Sequence, residues 1–312
     1  MTQPAIFISK LAKSYNSTIA LRDVNISIKK GQFFGLLGPN GAGKTTTINI
    51  LTGLVKRESG TTEVFGRDTI RDFRFTRAQI GVAAQELSID WFFPIESLLY
   101  LQAGYYGIKK KDAHDRVNSL LIKLGLEEKR KSKLRQLSGG MKRRFQIAKA
   151  LIHDPPIIIL DEPTAGVDVQ LRHELWCYLQ ELHTQGKTIL LTTHYIEEAE
   201  RLCENVAIID NGSVIANDSP LNLTNQLGSG GITINLSGWK DEINDKLNEF
   251  KFTYHDGRLH ITLNSPDVHL PKIIQILTQN GVHVHHFDTE KSTLEDVFLS
   301  LTGKDIHAGD MI

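Results

Sequence analysis

The chain is short of cysteine, of long apolar runs and of any excess of charge. Its 312 residues hold two cysteines, Cys177 and Cys203, far apart and without metal-ligand spacing, so both are expected to be small buried filler in a reducing cytoplasm. No apolar run approaches the ~18–20 residues that a membrane-crossing helix needs. The N-terminal "MTQPAIFISKLAKSYN" lacks the apolar core of a secretory signal. A soluble chain is expected, reaching a membrane only through a partner. Lys+Arg and Asp+Glu both number 36, which leaves no bulk field to recruit nucleic acid or anionic lipid.

What is present is an ordinary globular content of 40% hydrophobic residues and enough length for two domains. Short β-rich segments come first, ending in "GQFFGLLG", which runs into a Gly-rich loop and the apolar-periodic "KTTTINILTGLV". A helical texture follows from about residue 86 to 154. Pro155-Pro156 then introduces "IIILDEPT", a continuous apolar run of the kind that forms a buried parallel strand. "VQLRHELWCYLQELHTQG" predicts an amphipathic helix, "KTILLTTH" a second buried strand, "IEEAERLC" a helix, and "NVAIIDNGSVIAND" a hairpin turning at Asn211-Gly212. The pattern is an α/β parallel-sheet core with a helical insertion, over residues 1–227. After the "GSGG" linker the order becomes βαββαβ over 228–305, with its first helix expected over 240–250, a small α+β ferredoxin-like unit that closes with the helix "STLEDVFLSLTG", before a 306–312 tail. His283, His285 and His286 fall on alternating faces of its last strand, a spacing that favours a plain strand over a metal cluster.

Chemistry concentrates in a few stretches. "GPNGAGKT", residues 38–45, is a phosphate loop in the strand-to-helix setting such a loop requires. Within Gly38, Pro39, Asn40, Gly41, Ala42 and Gly43 the glycines let backbone N–H groups converge on phosphate oxygens; Lys44 brings a point charge to the β/γ phosphates and Thr45 a hydroxyl to Mg²⁺, with Thr46 next to it. "IIILDE" places Asp161 and Glu162 at a strand's C-terminal end, where open α/β sheets bind ligands. Asp161 suits the Mg²⁺ shell, and Glu162 suits orienting or deprotonating an attacking water. His194 closes "ILLTTH" at another such end, as a γ-phosphate contact or a satisfied turn residue. Gln85, after "IGVAA", is open between a Mg²⁺ or water ligand and a plain loop residue, and Tyr15 between base stacking and packing. No Asn-Lys-x-Asp guanine-reading stretch occurs, so the residues point to hydrolysis of ATP. "LSGGMKRRFQIAKAL", residues 137–151, opens a second helix with the geometry of an anion site. Its Lys142-Arg143-Arg144 is expected mostly on the helix surface and its interfaces.

In this order "GPNGAGKTT", Gln85, "LSGGM", "IIILDEPTAGVD" and His194 resemble the nucleotide-binding subunits of ABC transporters, across nearly all of residues 5–220. "LSGGMKRR", "LTTHYIEEAE" and "TLEDVFLSLTG" are further similar to the bacterial ABC-2 type exporters of drugs, polysaccharides and lipids, whose ATPase pairs with a separate six-helix permease. The resemblance implies a P-loop NTPase (RecA-like) cassette with a helical subdomain, binding ATP and Mg²⁺. It implies that Tyr15 stacks on adenine and that Gln85 reaches the metal and water. Ser138, Gly139 and Gly140 become the signature loop, and Asp168 lies in the loop that crosses between paired subunits. In one departure, Ala165 stands where many members have serine, leaving no hydroxyl for a contact across that interface. Two subunits are expected to sandwich two ATP molecules head to tail, each bound by the phosphate loop of one and the signature loop of the other. Residues 86–106 match the region that receives the permease, with Trp91, Phe92, Phe93, Tyr105 and Tyr106 open between groove lining and insertion core. The expected place of work is the cytoplasmic face of the cell membrane, peripheral through the permease.

The competing reading is a soluble ATPase of the same family serving a non-transport partner. A translation factor of that kind usually carries two cassettes and a DNA-repair member a long coiled coil. One cassette and no heptad run disfavour both. A non-catalytic ATP sensor is expected to lose Glu162 or His194, and both are present.

Overall fold

Apolar alternation at the N-terminus builds the first sheet of this computed structural model, which describes residues 3–84, 92–227, 230–240, 242–263, 266–290 and 292–303. Strands β1 (Ile6–Tyr15) and β2 (Thr18–Ile28) form a hairpin, and β3 (Phe33–Leu37) leads through the phosphate loop to α1 (Lys44–Leu51). β4 (Ser59–Val64), β5 (Arg67–Asp68), α2 (Phe73–Ala78) and β6 (Ile80–Ala83) follow. The helical stretch comprises α3 (Ile95–Tyr105), α4 (Lys110–Lys123) and α5 (Gly139–Leu151). β7 (Ile157–Asp161), α6 (Val169–Thr184), β8 (Thr188–Thr193), α7 (Ile196–Leu202), β9 (Asn205–Asp210) and β10 (Ser213–Asp218) complete the first unit. Beyond it lie α8 (Pro220–Leu227), β11 (Gly231–Ser237), α9 (Ile243–Lys246), β12 (Lys251–His255), β13 (Arg258–Thr262), α10 (Pro266–Gln279), β14 (His283–Glu290) and α11 (Leu294–Thr302).

The central sheet has the order β10-β9-β3-β8-β7-β6, with β9, β3, β8, β7 and β6 parallel. Every residue of β3, β7 and β8 is buried, as apolar strands covered on both faces must be. Fully burying an Ile, Leu or Phe contributes about 1.5–3 kcal/mol, so these strands fix the positions of the polar residues at their C-terminal ends. The antiparallel sheet β2-β1-β4-β5 shares one core with them, joining Ile6, Ile8 and Val24 to Phe34, Ile48 and Ile159. In the helical stretch, Leu98 and Leu99 of α3 and Val117, Leu120 and Leu121 of α4 are buried, at the three- and four-residue intervals of an inward helix face. Asn211 (φ 47) and Gly212 (φ 78) turn the β9–β10 hairpin with two positive φ angles, the conformation an Asn-Gly pair accepts most easily. Cys203 is buried, but Cys177 is exposed on α6, because it lies off the helix stripe formed by Leu175, Leu179 and Leu182. Its expected role as buried filler is therefore corrected.

Contacts divide the chain into two compact units, residues up to Asn217 and residues from Asp218. The division falls ahead of the "GSGG" linker because α8 packs on α11 within the second unit. That unit's sheet has the order β12-β13-β11-β14, all antiparallel, the arrangement of a βαββαβ ferredoxin-like fold. Ile232, Ile234, Leu259, Ile261, Ile273 and Leu277 form its separate core. α9 covers only Ile243–Lys246, shorter than the helix expected over 240–250. On β14, His285 Nε2 lies 2.8 Å from Ser237 Oγ and His286 Nε2 3.2 Å from Asp288.

Candidate active site

The phosphate loop depends on how β3 turns into α1. Gly43 is the N-cap at φ 110, and a Cβ there would lie 2.7 Å from Leu21 Cδ2 and 2.8 Å from the Ala20 carbonyl. Only glycine permits that turn, which leaves free N–H groups at the start of α1 for an anion. Lys44 is buried, with its Nζ donating to the carbonyls of Gly38 at 2.7 Å and Pro39 at 3.2 Å. The same ammonium pairs with Glu162 Oε1 at 3.2 Å.

The ends of β7 and β8 bring up the acids. Asp161 accepts from Thr45 Oγ1 at 3.2 Å on one oxygen and from Thr192 Oγ1 at 2.5 Å on the other. Glu162, one residue further, has a positive φ of 49°, and its N–H donates to the Thr192 carbonyl at 3.0 Å. His194 Nδ1 lies 3.3 Å from Glu162 Oε1. Burial pushes the Glu162 carboxyl up, but the nearby His194 ring and the Lys44 charge outweigh it and hold the group below the ordinary glutamate value. Glu162 is thus ionised at neutral pH. Thr45 and Asp161 offer the hydroxyl and carboxylate oxygens that suit Mg²⁺, an ion usually held by one or two protein groups plus substrate phosphates. Among the described residues there is no cluster of three His, Cys, Asp or Glu able to cage a metal by itself.

Lys44, Thr45, Asp161, Glu162 and His194 therefore meet in one bonded cluster. Tyr15, Ser138, Gly139, Gly140 and Asp168 lie elsewhere among the described residues. Ser138 caps α5, its Oγ accepting from Met141 N–H at 3.3 Å. Asp168 caps α6, its Oδ1 accepting from Leu171 N–H at 2.9 Å. These two helix starts abut, since a Cβ on Gly140 would come within 2.2 Å of Leu171 Cδ2. Ser138, Gly139 and Asp168 are exposed. Tyr15 ends β1 with its ring exposed and Lys13 Nζ 5.1 Å from the ring centre. Gln85 and Trp91 lie outside the described residues.

Two buried charges escaped sequence reasoning. Arg143 is not on the surface of α5 but buried. Its guanidinium donates to the carbonyls of Ala84 at 3.2 Å, Asp161 at 3.3 Å and Pro163 at 3.0 Å, to that of Glu162, and to Gln146 Oε1 at 3.0 Å. A positive φ at a non-glycine residue costs about 1–3 kcal/mol, and hydrogen bonds to a charged donor contribute about 1.5–3 kcal/mol each, set against both the strain at Glu162 and the cost of burying the guanidinium, which pulls its pKa down. The available signal was position: Arg143 stands four residues before Ile147 and seven before Ala150, on the buried stripe. Glu198 is fully buried on α7, with Oε1 accepting from Thr164 Oγ1 and Trp176 Nε1, both at 3.1 Å. Burial pushes its carboxyl up, against those hydrogen bonds.

Residues 21–165 match the ABC transporter family, and residues 219–302 match the family described as ATP-binding protein DrrA1-3-like, C-terminal domain. The chain is 37% identical to the Nod factor export ATP-binding protein I of Cupriavidus pinatubonensis, across 96% of this chain and 91% of that protein. It is also 37% identical to the protein of the same name from Burkholderia orbicola, across 98% and 99%. Among solved structures, an ATP-binding subunit of an ABC transporter superposes with TM-score 0.67 at 30% identity, covering 72% of this chain and 93% of that one. A dimeric ATP-binding cassette in a post-hydrolysis state, bound to ADP and Pi, superposes with TM-score 0.64 at 28% identity, covering 69% and 98%.

Proposed function

The chain belongs to the ATP-binding subunits of ABC transporters, ATPases that drive export through a separate permease, and from that premise we propose how its residues do so. Lys44 and the N–H groups of the phosphate loop bind the β- and γ-phosphates. Thr45 and Asp161 would hold Mg²⁺, which when bound would neutralise charge on the phosphate oxygens. Glu162, kept ionised beside Lys44 and His194, accepts the proton of the attacking water, and His194 steadies the γ-phosphate. Gln85 completes the metal and water contacts, and Tyr15 stacks on the adenine.

Two copies of the chain form the working unit. Ser138, Gly139 and Gly140 of one copy meet the γ-phosphate on the phosphate loop of the other, and Asp168 crosses between them. The exposure of Ser138 and Asp168 at two abutting capped helix starts supports that reading, because such N-termini attract anions. The pair works at the inner face of the membrane; among the described residues no helix is long and apolar enough to cross it. The permease docks on residues 86–106. Support comes from Phe92, Phe93 and Tyr105, which are exposed rather than in the insertion core, and from a cleft of about 270 Å³ lined by Arg77, Gln102, Tyr106 and Lys149. The relatives named for Nod factor export place the chain with exporters; their cargo is theirs.

The observation that carries the catalytic assignment is the meeting of Lys44, Asp161, Glu162 and His194 at the phosphate loop. Its test is Glu162→Gln. Turnover should fall by about 10²-fold or more, the usual worth of a general base, while equilibrium ATP binding stays as in the parent. Normal turnover by the variant would refute the role.

A further inference from the structure

We propose that Arg143 is a positioning residue for ATP hydrolysis, tying the signature helix to the backbone that holds Glu162 and to the chain leading into Gln85. Three separate segments end on this one side chain. It projects from α5, whose first residues follow Ser138. Its donors take the carbonyls of Asp161, Glu162 and Pro163 in succession, spanning the point where the chain adopts a positive φ at Glu162. A third branch reaches the Ala84 carbonyl, the residue before Gln85, which Gln146 Nε2 also holds at 2.7 Å. Gln146 in turn fixes the guanidinium through its Oε1.

The planar fork of arginine is what makes this possible. Five N–H donors in fixed directions serve carbonyls on opposite sides, which a three-donor ammonium on a flexible stem does not reproduce. A displacement of α5 when its N-terminus meets an anion is therefore passed to the Glu162 carbonyl and to Ala84 together. The inference rests on the proposed role of Glu162, and its effect should appear in turnover rather than in ATP affinity, since Arg143 touches neither Lys44 nor the phosphate loop through any of these bonds.

The test uses the full-length chain as Arg143→Lys, Glu162→Gln and the double variant, with ATP turnover, ATP affinity and thermal unfolding measured for each. Arg143→Lys should lower kcat by about tenfold or more with ATP affinity within about threefold of the parent. Residues acting as one unit are non-additive, so the double variant should be no slower than Glu162→Gln alone. A merely structural fault would instead multiply the two losses, or lower ATP affinity and unfolding temperature together with kcat, and either outcome overturns the inference. So does a folded Arg143→Lys variant that turns over at the parent's rate. If Glu162→Gln itself turns over normally, the role of Glu162 falls and the inference with it; if only Arg143→Lys does, the inference falls alone. Should Arg143→Lys fail to fold, Gln146→Leu, which unfastens the guanidinium from one side, must show the same separation of kcat from affinity and the same non-additivity.

Discussion

Glu162 is buried, backbone-strained and ionised, and its neighbours allow each condition. The strain is held by Arg143, and the charge is answered by Lys44 at 3.2 Å, both side chains of that pair being almost inaccessible. Removing one member of a buried pair strands the other, at a cost of about 3–5 kcal/mol. Nucleotide-free Lys44→Ala should therefore unfold at lower urea concentration than the parent, and adding Glu162→Gln should restore much of the loss; urea titrations of the three proteins check this. His153 makes a second prediction. Its ring stacks on Tyr106 at 3.5 Å and its Nε2 donates to the Ile80 carbonyl, and burial lowers its pKa from 6.5 to about 4. The unfolded chain then binds more protons than the folded one across that window, so stability is complete above pH 6.5 and declines toward pH 4, by at most about 1.4 kcal/mol per pH unit. His153→Phe, which keeps a ring against Tyr106, should flatten the difference between urea midpoints at pH 7.5 and 5.5. Lys44, Asp161, Glu162 and His194 were legible in the sequence because loop and strand-end contexts restrict what such residues can do. Arg143 and Glu198 were not, because a charge inside a charged run looks solvated until its helix face is known.

At the scale of elements, legibility followed burial. β3, β7 and β8 are apolar throughout and admit one reading, and the Asn211-Gly212 turn announces its hairpin. α9 is a single turn, and its expected length came from a polar stretch with little inward stripe to define it. α8 was hidden by the linker after it, because its attachment to α11 is a tertiary fact. The stretch between β6 and α3 carries the permease proposal. Phe92 and Phe93 are 66% and 53% exposed, and Arg135 lies 5.6 Å from the Phe92 ring, so charges there should not disturb the core. Phe92→Glu with Phe93→Glu should leave ATP turnover of the isolated subunit unchanged and abolish its co-purification with the detergent-solubilised permease. Full recovery of the complex would reject the docking assignment.

At the scale of the whole molecule, two anion-binding helix starts in one chain make sense when each serves a different ATP. α1 follows the phosphate loop and is bonded into the Asp161–Glu162 cluster; α5 follows Ser138, which with Gly139 is exposed to solvent. The second unit has its own sheet and core, while Lys44, Thr45, Asp161, Glu162 and His194 all belong to the first. In the proposed dimer ATP acts as the adhesive between two copies, and its hydrolysis lets them part. The most direct measurement is the molar mass in solution of Glu162→Gln, with and without a further Ser138→Arg, in saturating ATP and Mg²⁺, with bound ATP quantified in each. We expect Glu162→Gln to run as an ATP-dependent dimer, and the double variant to bind ATP equally well but remain a monomer. A double variant that still dimerises with ATP would contradict the shared site.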